Sequence, residues 1–212
     1  MKIKIERIIS IATLLAALIA IVLVLRKPAP VAQKQAPAAI TEHANSFDQK
    51  MTEFEQATQQ ASAVSPADAQ PAKGAVGGAF KPEVRINSDE VSAVLAQSLG
   101  NGELKPDTNL GSGAPTIKDQ QVSFDGDLVH GQFLTEVAGK DVWITVSGHL
   151  SEKDGYATFE PTEFKVGDLS VPVSLVNPTL QKKLAEQRDR LKLPDNVGAM
   201  KVENGELVML GK

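Results

Sequence analysis

The 212-residue chain has no cysteine, one tryptophan, one tyrosine and three histidines. Without cysteine it can form no disulfide, thiolate metal site, cysteine nucleophile or cysteine-linked lipid anchor. Positive charge is not in excess: 22 Lys and Arg stand against 26 Asp and Glu, a net charge of -4. No basic footprint argues for nucleic acid. The chain contains no Gly-x-Ser-x-Gly, Walker loop, dinucleotide fingerprint or His-Glu-x-x-His. Ser112, between Gly111 and Gly113, has no following helix and no evident base. Asp125 and Asp154 each precede a glycine and already have a local role as turn residues. These absences place binding ahead of catalysis, so a non-enzymatic protein is expected, with no cofactor and no metal implied.

One long apolar run is present. Residues 8–25 carry no charge and are flanked by Lys2, Lys4 and Arg7 on one side and Arg26 and Lys27 on the other. At about 1.5 Å per residue such a helix spans about 27 Å, close to the hydrocarbon thickness of a bilayer. A signal peptide is the competing reading, but its apolar core is usually about 7–15 residues and ends in a small-x-small site. Here the run is longer and ends in Val22, Leu23, Val24 and Leu25 before two cations. The expectation is an uncleaved single-pass anchor over residues 1–27, contacting the bilayer through residues 8–25. Positive charge flanks both ends, so orientation rests on the short basic amino terminus, which suits the cytoplasmic side and leaves the rest extracytoplasmic. Ala12, Ala16 and Ala20 form a small-xxx-small stripe. It would let two anchors pair in a homodimer, or it reflects only the abundance of alanine in such helices.

Residues 28–39 and 62–80 are rich in Pro, Ala, Gln and Gly and read as linkers, giving a flexible stalk over 28–80. Between them, residues 41–63 lack Pro and Gly and look helical. Ala44, Phe47, Met51, Phe54, Thr58 and Ala61 alternate spacings of three and four. That stripe would either zip two stalks together or pack on the chain's own domain or on the membrane surface.

An ordered domain is expected over residues 81–212. Val84 and Ile86 alternate as in a short strand. Asn87 and Glu90 then form a capping box, with Ile86 able to staple onto Val91. Asp125-Gly126, Gly139-Lys140 and Asp154-Gly155 are two-residue turn candidates between alternating apolar residues. They predict a four-stranded meander. In this register Gly131 faces Gly148, His130 faces His149, Leu150 faces Phe159 and Trp143 faces Val166. Asn177-Pro178 reads as the start of a second helix with the stripe Leu180, Leu184 and Leu191. A last hairpin turns at Asn204-Gly205, pairing Val202 with Leu207 and Met200 with Met209. The fold class expected is α+β: an N-terminal transmembrane helix, a flexible stalk, then a curved antiparallel meander packed with two amphipathic helices.

Three constellations follow from that register. Phe133, Ile144, Val146 and Phe159 fall on its apolar face and would line a groove for a lipid or other apolar ligand. Trp143, Leu134, Phe164 and Val166 cluster on the opposite face as a patch for a protein partner, the membrane or a lipid chain, unless one of the helices or the stalk helix covers them. His130, His149 and Glu160, with Gln121 at the end, form a polar row that contains a metal-type set but is read as solvated.

The arrangement resembles the YpmS-like family of bacterial single-pass membrane proteins. The resembling segments run from Val84 through Arg85, Ile86, Asn87, Ser88, Asp89 and Glu90 to Leu95, from Val166 through Gly167 and Asp168 to Pro172, and from Leu193 through Pro194 and Asp195 to Val197, with residues 200–208 after them. Such a resemblance implies an anchored inner-membrane, cell-envelope protein with an extracytoplasmic α+β domain. It is similar also to tubular lipid-binding folds, which implies an apolar groove and a lipid ligand. The alternative implied is a structural or adaptor subunit that docks a protein partner.

Overall fold

The computed structural model describes residues 2–63, 81–100, 117–137 and 139–212. The linker expected at 62–80 lies almost wholly outside the described residues, as does the Gly-, Pro- and Asp-rich loop containing Ser112. Described elements are helix α1 (Lys2–Leu25), α2 (Pro37–Ala63), strand β1 (Glu83–Asn87), α3 (Ser88–Gly100), β2 (Ile117–Asp125), β3 (Leu128–Val137), β4 (Lys140–Lys153), β5 (Tyr156–Val166), β6 (Leu169–Ser170), α4 (Val173–Glu186), a 3-10 turn (Arg188–Leu191), β7 (Val197–Glu203) and β8 (Glu206–Gly211). The class is α+β, with four α-helices and an antiparallel sheet in the order β1-β8-β7-β4-β3-β2; β5 lies beside β4 and carries β6. Among the described residues no helix is long and apolar enough to cross a membrane. The side chains of residues 1–12 and 15 lie outside the described set.

The C-terminal hairpin has the register expected from its turn. Val202 pairs with Leu207 and Met200 with Met209, around Asn204 and Gly205 at φ 55 and 76°. Left-handed backbone at both central positions is what Asn-Gly supplies cheaply. β1 then pairs with β8, a long-range partner that no local signal in the sequence specifies. Below these strands lies the main core: Phe54, Val84, Ile86, Val197, Met200, Val202, Leu207 and Met209 are all buried.

Phe54 belongs to α2. The three-four stripe of this helix faces its own domain, with Ala44, Phe54 and Thr58 buried and Phe47 and Met51 packed beside the core. The packed unit therefore begins before residue 81. The helix starts at Pro37, four residues ahead of the expected Thr41, because proline at a first helical position loses no intrahelical bond. The capping box forms reciprocally: Asn87 N–H donates to Glu90 Oε2 and Glu90 N–H to Asn87 Oδ1, both at 2.9 Å. Glu90 also ties α3 to α2, accepting from Ser46 Oγ at 2.6 Å and Lys50 Nζ at 2.8 Å.

The four-stranded meander β2 to β5 is present, with its register corrected in three places. The β3–β4 hairpin closes at Val137 and Lys140. Gly139, at φ 75°, takes the second turn position rather than the first, and the pairing slides by two residues. The β2–β3 hairpin closes at Asp125 and Leu128, with Gly126 at φ 61° in the first turn position. Because both slides are by an even number, residues stay on their expected faces, except Ile117, which lies beyond a bulge in β2 before Asp119. The third correction changes faces. A bulge between Ser147 and Gly148, opposite Pro161, moves the outer half of β5 by one residue. Proline cannot donate to the ladder, so pairing is interrupted there.

The second helix also differs from expectation. It begins at Val173, with Pro178 inside it and no side-chain cap. Asn177 is not the cap; its Oδ1 accepts instead from Gln181 Nε2 at 3.1 Å.

Candidate functional site

The inner pairs of the meander define its two faces. On one, Phe133 pairs with Ile144 and Gly131 with Val146, while Ile144 pairs with Val166, Val146 with Phe164 and Leu150 with Phe159. Phe133, Ile144, Val146 and Phe159 are thus brought onto one face, joined by Phe164 and Val166. All six are half-buried. At one end this apolar strip runs into the main core through Val129, Leu150 and Ala157.

Glycine makes room for its aromatic rings. A Cβ at Gly131 would touch the Phe133 ring at 3.0 Å. One at Gly148 would meet the Phe159 ring at 2.7 Å and collide with the Glu160 carbonyl. The two glycines do not face each other, as the expected register had them. Gly131 instead pairs with Val146 and lies under the Phe133 ring two residues along its own strand, and Gly148 pairs with Val129 and Pro161 and lies under the Phe159 ring of the neighbouring strand.

Two helices flank this face. α3 lies along the open edge of β2, where Ser92 Oγ accepts from Val122 N–H at 3.3 Å and donates to Val122 C=O at 3.0 Å. The hydroxyl thereby satisfies both outward backbone groups of an edge residue. On the other side α4 packs on β5, and Gln181 Nε2 donates to Phe159 C=O at 3.1 Å. α4 has no buried residue, and a cavity of about 260 Å³ opens between it and β5, bounded by Phe159, Ala157, Leu184 and Leu191. Arg188 closes one end, stacked 4.0 Å from the Tyr156 ring centroid. Among the described residues, two buried side-chain atoms have no hydrogen-bond partner, Gln120 Nε2 and Thr135 Oγ1. Gln120 pairs with Phe133 and Thr135 with Val142, so both belong to the apolar face. A buried polar atom left unpaired costs about 1–3 kcal/mol.

The patch expected around Trp143 is not assembled. Leu134 and Trp143 pair with each other, but the β5 bulge places Phe164 and Val166 on the opposite face. The polar face is instead crossed by the segment after α1. Gln132, 1% exposed, donates to Ala29 C=O at 3.1 Å and to Thr145 Oγ1 at 3.2 Å. Ala32 N–H donates to Gln121 Oε1 at 3.4 Å, and Lys27 Nζ stands 5.7 Å from the Trp143 ring centroid. Proline-rich composition reads as linker, yet residues 29–32 are held by the buried amide of Gln132 and by Gln121. Isolated polar residues on a strand were the only signal for that contact.

The polar row is likewise split by the two-residue slide. His130 pairs with Ser147, and its Nδ1 lies 2.8 Å from Ser147 Oγ. His149 pairs with Glu160 as expected, while its Nδ1 is 3.3 Å from Asp127 Oδ2. Among the described residues no group of three or more His, Asp or Glu side chains could hold a metal ion. Glu90, in the first turn of α3, has a shifted carboxyl. Burial pushes its pKa up, but hydrogen bonds from Lys50, Ser46 and the Asn87 N–H, with the Lys50 charge, outweigh that and hold it below the ordinary value.

Comparison with protein-family models, with curated proteins and with solved structures found no match.

Proposed function

We propose that the chain is a membrane-anchored, non-enzymatic protein of the bacterial cell envelope whose α+β domain binds a lipid or similar amphiphile on the apolar face of its meander. One observation carries this reading: Phe133, Ile144, Val146, Phe159, Phe164 and Val166 form a continuous apolar strip that is only half-buried. A sheet this apolar is ordinarily sealed by a helix, and α4 reaches it with no buried residue.

The anchor is supported by the uncharged run 8–25 and by the surface of α1. Leu14, Leu18, Ile19, Ile21, Val22 and Leu25 are all exposed. Such a surface is unfavourable in water and natural in hydrocarbon. The adaptor reading, in which a protein docks through Trp143 and Leu134, has less support, because the chain's own segment occupies much of that face.

The test is mass spectrometry of the full-length chain released from native nanodiscs, followed by solvent extraction. A co-purifying lipid near one per chain is the expected result. A bare chain would overturn the lipid reading.

A further inference from the structure

We infer that the meander stands directly on the bilayer, with Trp143 in the interface and the apolar strip opening at its Ile144–Val166 end onto the leaflet where α1 ends. The inference rests on the anchor proposed above and adds the orientation of the domain and the source of the ligand, a lipid of that leaflet.

Three contacts point to it. The last turn of α1 is bonded to the turn between β5 and β6: Asp168 N–H donates to Leu23 C=O at 2.9 Å. Gly167, at φ 59°, packs so closely that a Cβ there would collide with the carbonyl oxygens of Leu23 and Val24. Its own N–H donates to Trp143 C=O at 2.7 Å. The end of the uncharged run, the β5–β6 turn and Trp143 therefore lie at one level.

The chemistry at that level suits a membrane–water boundary. Arg26 and Lys27 follow the apolar run, and Lys27 lies over the chain's single tryptophan. Tryptophan and cationic side chains are the groups that settle among lipid headgroups. Cations there also complement anionic lipids of the surface.

Val166 adjoins Gly167 in sequence and pairs with Ile144, so this end of the strip is one residue from the anchor contact. The other end, at Leu150, enters the core. The seven residues of strand from Ile144 to Leu150 span about 20 Å. One leaflet of hydrocarbon is about 15 Å deep. An acyl chain leaving the leaflet could thus lie along the strip while its headgroup stayed at the interface.

The single tryptophan makes the test direct. The full-length chain is reconstituted into phosphatidylcholine–phosphatidylglycerol vesicles whose lipids are unbrominated, brominated near the headgroup end of the chain, or brominated near its terminus. Flotation is measured on the same samples. The expected result is co-flotation, a blue-shifted emission and a large loss of intensity with shallow bromine that diminishes with deep bromine. Gly167→Ala, which pushes the helix end away, is expected to reduce the shallow quenching. Failure to float would overturn the anchor and this inference together. Flotation with water-like, unquenched emission would overturn the orientation alone, leaving the anchor standing.

Discussion

The part of the molecule built from α2, α3, β1, β7 and β8 seals its apolar side chains: Ile86 is 0% and Phe54 3% exposed. The meander does the reverse. Its buried residues are largely polar, Gln132, Thr135, Thr145 and Ser147 beside the two valines Val122 and Val142, while Phe133, Ile144, Val146, Phe159, Phe164 and Val166 stay half-buried. The difference separates two tasks. The first region supplies the hydrophobic stability that holds the fold, and the second keeps an apolar surface that the fold itself does not consume.

Substitutions should separate these tasks, and the largest effect belongs to the sealed side. Phe54→Ala removes a buried ring that α2 contributes to the core and is expected to cost about 3–5 kcal/mol in chemical denaturation. Equal stability of variant and parent would mean that α2 is a dispensable stalk after all. Gly148→Val comes next, at about 1–3 kcal/mol from overpacking. Its added carbons must displace the Phe159 ring and the Glu160 backbone, so lipid binding should fall with stability.

Glu90→Gln is expected to cost about 1–2 kcal/mol, because it removes the capping carboxylate and the partner of Lys50. The pH dependence has a definite sign. A carboxyl held below its ordinary pKa stabilises the fold fully above its unfolded value, and that stabilisation is lost as pH falls through the lower folded value. Denaturation midpoints measured from neutral pH into the acid range should fall less steeply in the variant. The smallest expected effect is on the open side. Ile144→Ala should cost about 1 kcal/mol, since only part of its side chain leaves water on folding, yet it should weaken lipid capture markedly. A large stability loss without a binding change would erase the distinction.

Much of this arrangement is legible in the sequence where interactions are local. The capping box at Asn87 and Glu90 and the Asn204-Gly205 hairpin are written in adjacent residues. The face of each inner strand residue in β3 and β4 is legible too, because a slide of two residues preserves alternation. Turn placement is less so: a glycine permits left-handed backbone at either central position, so Gly126 and Gly139 each leave two registers open. The bulge beside Gly148 depends on how β4 accommodates Pro161 across the sheet. That one irregularity moved Phe164 and Val166 from the expected partner patch to the apolar strip. Nonlocal packing was least legible. The stripe on α2 predicts an apolar surface but not its partner, and the pairing of β1 with β8 joins segments more than a hundred residues apart.

The contrast between the two regions can be read directly by thiol labelling, since the chain has no cysteine of its own. Val146→Cys on the open strip and Met209→Cys in the sealed core are each prepared in the full-length protein. Both are treated with a thiol reagent in native lipid nanodiscs and again in amphipol after lipid removal. Val146→Cys is expected to be protected with lipid and labelled once stripped, while Met209→Cys stays protected in both. Protection of Val146→Cys in both states, or labelling in both, would contradict a lipid-filled strip.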